Sequence, residues 1–294
     1  MTTAADRVPA PLLVLAGIVS VQFGGALAQT LVPVIGAGGS VVMRLLFATV
    51  LLLAFVRPRW RGHSRRAWAT VAAFGVALGM MNYTFYGSLG HLPIGVAVTI
   101  EFIGPLSLAA ALSRRLVDGL AVLAAAGGVV LISEALEVPF AQLEWVGILL
   151  ALTAGGFWAA YIVLSGRTGA EFPRLEGLAL AMVVATVVTL PLGVASVPQW
   201  TGATLAKGLG IAVLSSVLPY SLELLALRRL RAQVFGILLS LEPAAAALAG
   251  LVVLGQRLAP SQLVGMALVV GASALVLGLG ARREPADPAE AAAT

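Results

Sequence analysis

Runs of about 20 apolar residues recur along this chain with almost no charge inside them, and that pattern constrains its fold more than any motif does. A helix needs about 20 such residues to cross the hydrocarbon core, and ten helices would occupy roughly 200 positions of a chain of 294. Composition agrees, since 60% of the residues are hydrophobic and 11% charged with a mean hydropathy of +1.02, whereas soluble domains carry about 25% charged residues. A β-barrel is excluded too, because its strands alternate lipid-facing and lumen-facing residues over about ten positions and these runs are continuous. The fold expected is an all-α polytopic membrane protein with ten transmembrane helices.

Breaks between the runs place the spans at 10–30, 34–56, 67–88, 93–112, 117–133, 145–164, 177–197, 207–227, 232–253 and 261–280. The second has the weakest start, because Gly-Ala-Gly-Gly-Ser at 36–40 interrupts it. Fifteen of the 18 cationic residues fall on one side: Arg7, five in segment 57–66, Arg114 and Arg115, Arg167 and Arg174, Arg228, Arg229 and Arg231, and Arg282 and Arg283. The positive-inside rule then predicts a multi-pass protein with cytoplasmic N- and C-termini. It also accounts for the basic pI of 10.4 without any nucleic-acid partner. The opposite loop, 134–144, holds three glutamates and no cation. The first run is read as a retained helix rather than a cleaved signal, and the tail 281–294 as disordered.

The fourth and ninth spans echo one another. Aligned on Pro105 and Pro243, GVAVTIEFIGPLSLAAAL and QVFGILLSLEPAAAALAG each carry an apolar run, a glutamate just before the proline, and small residues after it. This divides the chain into a five-helix unit at 1–138 and a second at 139–280. Five is odd, so the second unit crosses in the opposite sense, as in secondary transporters built as inverted repeats with a site near the midplane.

Polar residues inside the spans are the candidate site. Glu101 and Glu242 sit mid-span, where a charge costs at least about 2.5–3.5 kcal/mol and normally marks a pathway or a partner; packing through a protonated carboxyl is the alternative. Pro105 and Pro243 each free a carbonyl one turn earlier, giving kinks with exposed acceptors. Carboxylate and bare carbonyl together suit an ammonium or a coupling proton. Glu223 is a third possible coupling carboxylate, although its distance from Arg228 favours an interfacial ion pair. Arg44 suits a substrate carboxylate, or else snorkels or pairs with a buried glutamate. Asn82, Tyr83 and Tyr86 offer polar tips and aromatic faces to a zwitterion, set against an aromatic belt at the interface. Trp158, Tyr161 and Tyr220 are further aromatic candidates for the path, with plain packing as the alternative. Gly75 and Gly79 form a GxxxG pattern, whose default meaning is close helix packing.

There is no cysteine and only two histidines, so metal and thiol sites are not expected. HExxH, GxSxG, GxGxxG and P-loop motifs are missing. The expectation is a non-enzyme without cofactor, needing no obligate protein partner beyond the lipid bilayer.

Four segments carry a family resemblance: VMRLLFATVLLLAF; GMMNYTFYGSLGHLPIGVAVTIEFIGPLSLAAAL; FWAAYIVLSGRTGAE; and LPYSLELLALRRLRAQVFGILLSLEPAAAALAGLVVLGQRL. They resemble the drug/metabolite transporter superfamily, EamA-type exporters, and within these the threonine and homoserine exporter subgroup. The resemblance covers nearly all the chain except its tails. It implies ten helices as an inverted 5+5 repeat, a bacterial-type inner membrane, and alternating-access export of neutral amino acids. Threonine and homoserine come first as substrates, with methionine, glutamine and aromatic amino acids as further candidates. Gln256 departs from the family pattern, which commonly has glutamate there. The rival within the same fold is a broad exporter of organic cations; nucleotide sugars are disfavoured because Arg44 is the only cation within a span.

Overall fold

A computed structural model describes residues 8–92, 94–113, 115–133, 135–139, 143–245, 248 and 259–281. Gln256, the end of the ninth span and the tail beyond residue 281 lie outside them. Among the described residues every regular element is helical. The helices are α1 (Ala10–Gln29), α2 (Val32–Val56), α3 (Arg65–Ser88), α4 (Ile94–Leu112) and α5 (Leu116–Ile132). They continue as α6 (Trp145–Glu171), α7 (Glu176–Gly193), α8 (Gly202–Leu227), α9 (Ala232–Ala245) and α10 (Pro260–Ala281). By length and composition, α2, α6, α8, and α7 with its 3-10 extension to Gln199, are long and apolar enough to cross a membrane. The other apolar helices are shorter within the described residues. Leu12, Phe23, Val50, Phe55, Leu123, Val187 and Val270 are exposed on the outside of the bundle, the arrangement expected where lipid replaces water.

Helix starts have local causes. Ser64 caps α3 by accepting from the Ala67 amide at 3.1 Å, and Thr201 and Thr204 form a reciprocal capping box at the start of α8, satisfying donors a helix cannot bond internally. The interrupted start expected of the second span is a single residue, Gly36, at φ 72° and ψ 170° inside α2. That backbone geometry is open to glycine and strained for other residues. Helix α6 runs seven residues further than its expected span, to Glu171, so Arg167 lies on the helix rather than in a loop.

Helix α3 packs on α6 and α7, α1 on α8, α2 on α7, α5 on α10, and α4 on both α6 and α9. Without a hydrophobic drive between helices in lipid, small residues at the crossings allow the close approach that dispersion needs. Gly75 and Gly79 lie against Ala181 and Ala185 of α7, so the GxxxG pattern is a packing face. Gly104 of α4 meets Gly155 of α6 backbone to backbone, and Gly128 of α5 meets Gly265 of α10. The arginine-bearing loops gather at one end. There Arg228 donates to the carbonyl of Phe172 at 2.6 Å, the Arg59 amide donates to Glu176 at 3.2 Å, and Arg229 donates to the carbonyl of Val8 at 2.8 Å. At the other end His91 pairs with Glu144 at 2.7 Å.

Candidate functional site

The middle of the bundle holds a largely buried polar cluster. Arg44 is 5% exposed on α2, yet its Nε has no hydrogen-bond partner. Its Nη2 donates to Oδ1 of Asn82 on α3. The guanidinium also lies over the ring of Tyr86, 5.3 Å from its centroid, a cation–π arrangement that is stronger away from water. Tyr86 and Asn82 are four residues apart and share a face of α3. No carboxylate pairs with Arg44 among the described residues.

Asn82 is fully occupied. Its amide donates to the carbonyl of Leu78 at 2.8 Å and to the hydroxyl of Tyr220 at 2.9 Å, while its oxygen accepts from Arg44. In this structure the side chain bonds its neighbours on three helices. Tyr83 turns onto a different face of α3 and makes no hydrogen bond or ring contact with the cluster among the described residues. The two tyrosines and the asparagine do not form one constellation.

Tyr220 of α8 packs with a tilt against Tyr161 of α6, ring centroids 5.7 Å apart, and the Tyr161 hydroxyl donates to Glu223 at 2.6 Å. Glu223 is 6% exposed, which corrects the interfacial ion pair expected for it. Its carboxylate turns inward from the same helix face as Tyr220, and Arg228 spends donors on the carbonyls of Phe172 and Arg174. A π turn at Val213–Val217, just before Pro219, precedes both residues; such turns recur at functional sites.

Glu101 of α4 and Glu242 of α9 are close enough to interact electrostatically, as are Glu242 and Glu223. Neither the Glu101 nor the Glu242 carboxylate has a hydrogen-bond donor among the described residues. Trp158 of α6 is buried beside them and packs edge-on against Phe102 at 4.8 Å. The two prolines behave differently. Helix α4 passes through Pro105 in helical geometry, and the Glu101 carbonyl freed by Pro105 faces the Gly155 backbone of α6 too closely for a side chain to fit between them. Helix α9 is interrupted at Ser240, three residues before Pro243, and the Ser240 hydroxyl donates to Ile237.

The cluster thus draws on α2, α3, α4, α6, α8 and α9, with one cation at one end and two donor-free carboxylates at the other. Surface hollows beside Gly36 and between α4 and α5 are lined by none of its residues. Among the described residues no group of histidine and carboxylate ligands could hold a metal ion. Phe102, Gly104 and Gly155 do not stand out in the sequence, although the glycine in EFIGPL is a visible signal. Asp118, buried in the first turn of α5, is a further acidic residue inside the fifth span that the sequence reading does not use.

An apolar helix bundle packed around an internal polar cluster of mixed charge is the build of a membrane transporter. The EamA-like transporter family model matches residues 145–278. The threonine/homoserine exporter RhtA of Escherichia coli K12 is 39% identical over 264 residues, covering 89% of this chain and 88% of its own. RhtA of Salmonella typhimurium SL1344 is 38% identical over 277 residues, covering 93% and 92%. A solved crystal structure with 19% identity superposes with a TM-score of 0.75 over 93% of this chain and 98% of its own, a likeness of fold. The chain belongs to the EamA-like transporter family.

Proposed function

We propose that this protein exports neutral amino acids, with threonine and homoserine as first substrates, from a bacterial inner membrane by alternating access. The observation that carries the reading is charge placement among the described residues: a buried guanidinium without a counter-ion at one end of the cluster, and at the other the buried Glu101 and half-buried Glu242 carboxylates without hydrogen-bond donors. Unpaired buried charges are costly, and a zwitterion supplies the missing partner to both. Arg44 takes the carboxylate, Glu101 and Glu242 take the ammonium, and Trp158 and Tyr161 flank the side chain. The RhtA relatives, named for threonine and homoserine export, support the same substrate class.

The helix pairings support two inverted five-helix repeats at 1–138 and 139–280. Helices α1 on α8 and α3 on α6 are equivalent contacts under that division, while α2 on α7, α4 on α9 and α5 on α10 join equivalent helices. The arginine-rich end is then the cytoplasmic one. Uptake into liposomes from a mixture of the common amino acids, with protein-free vesicles as control, tests the function. Specific entry of threonine or homoserine is expected. If only organic cations entered, the amino-acid reading would be lost in favour of cation export.

A further inference from the structure

Arg44 is the one buried cation among the described residues, and a long, flexible side chain needs lateral support to present its guanidinium in a fixed direction. Tyr86 covers one face at 5.3 Å. Asn82 accepts from Nη2, leaving the Nε edge without a protein partner. Besides its bond to Arg44 on α2, Asn82 has one tie along its own helix, to Leu78, and one to a third helix, the hydroxyl of Tyr220.

The position of that tie is unusual. Asn82 and Tyr220 are 138 residues apart, the same spacing that separates Pro105 from Pro243 in the two similar spans. Thr49 and Thr186, which share a hydrogen bond at 2.8 Å, are 137 apart, and the close pair Gly128 and Gly265 has that spacing too. A residue that touches its own counterpart lies at a two-fold axis, so these contacts trace the pseudo-two-fold axis between the repeats. Alternating access in inverted repeats exchanges the conformations of the two halves. Contacts on the axis are the ones such an exchange leaves in place.

Building on the proposed export function, we infer that Tyr220 is a positioning residue: through Asn82 it holds the Arg44 guanidinium at the pseudo-two-fold axis as the receptor for the substrate's carboxylate, in inward- and outward-facing states alike. The side-chain and ammonium end of the substrate is left to Glu101, Glu242 and the aromatics.

The test uses purified full-length protein in liposomes, with threonine as substrate and threonine amide, which lacks the carboxylate, as competitor. KM and Ki do not depend on how much of a variant folds, so their ratio reports recognition alone. Wild type is expected to prefer threonine to the amide by about 10- to 100-fold, as for a hydrogen bond to a charged group. Arg44→Gln brings the ratio to near parity. Tyr220→Phe keeps the charge, raises the threonine KM by about 3- to 10-fold and lowers the preference by the same factor, the effect of one lost neutral hydrogen bond. If Tyr220→Phe changed only Vmax, or left the preference intact while Arg44→Gln abolished it, the positioning role would be wrong. Retained preference in Arg44→Gln would remove the receptor itself. Wild type that carried no threonine would sink the export reading, and this inference with it.

Discussion

Tyr161 donates a hydrogen bond from its hydroxyl to Glu223 at 2.6 Å across the contact between α6 and α8, joining the two helices through a buried bond. Removing the donor leaves a carboxylate in the bundle with nothing to replace it. Tyr161→Phe is therefore expected to destabilise the protein by about 1–3 kcal/mol, read as a lowered thermal midpoint in detergent. Adding Glu223→Gln should cost less than the sum of the two single changes. Strict additivity in that cycle would show that the bond contributes nothing.

Glu101→Gln and Glu242→Gln keep shape while removing the charge that the ammonium is proposed to meet. Each is expected to raise the threonine KM by about 10-fold or more, the range for hydrogen bonds involving a charged group. An ammonium needs an ionised carboxylate, so wild-type affinity should weaken as the medium on the substrate side is acidified. The double variant should flatten that dependence. Unchanged rate, affinity and pH profile in both single variants at normal abundance would remove these residues from the site.

The crossing of α4 and α6 has no room for a methyl group. A Cβ on Gly104 would run into the Gly155 backbone, whereas Gly156, one residue on, faces open space. Gly104→Ala is expected to cost about 1–3 kcal/mol through overpacking, while Gly156→Ala should be neutral or stabilise by up to about 1 kcal/mol through helix propensity. Thermal unfolding of the pair in the same detergent checks this; equal midpoints would contradict it.

At Gly36 the space is open and the backbone is the constraint, with φ at 72° and no atom within 4 Å of the place a side-chain carbon would take. Gly36→Ala should destabilise by about 1–2 kcal/mol from left-handed strain alone. Thermal unfolding in detergent checks this, and an unchanged or raised midpoint would mean the strain account is wrong.

His91 and Glu144 bridge the turn after α3 to the start of α6 at 2.7 Å. If the end they occupy opens during transport, a reducible bis-thiol cross-linker joining cysteines put in their place (His91→Cys with Glu144→Cys) should stop uptake, and reduction of the linker should release it. Full activity in the cross-linked protein would show that this end does not part.

Much of the architecture is legible in the sequence because lipid imposes it. Apolar run length sets most of the helices to within a few residues, and the glycines at 36, 75 and 79 announce an interruption and a packing face. Residues such as Arg44 and Glu101 stand out because charge inside a span is conspicuous. Their partners do not. That Asn82 bonds Tyr220 across 138 residues, or that Glu223 turns inward to Tyr161 instead of outward to Arg228, depends on helix rotation and crossing. A periodicity read along one helix carries no information on either. The close approach of Gly155 to the Glu101 carbonyl is hidden for the same reason, since the proline that frees an acceptor does not say what will stand beside it.

The π turn at Val213–Val217 accommodates one residue more than an α-helical turn would, and everything after it is rotated by about 100° relative to an uninterrupted helix. Tyr220 and Glu223 owe their inward direction to that added residue. Deleting a single position within the turn would lengthen or shorten no loop, yet it would swing both side chains off the cluster together. The segment is thus a place where insertion and deletion, rather than substitution, can rewrite what this bundle recognises.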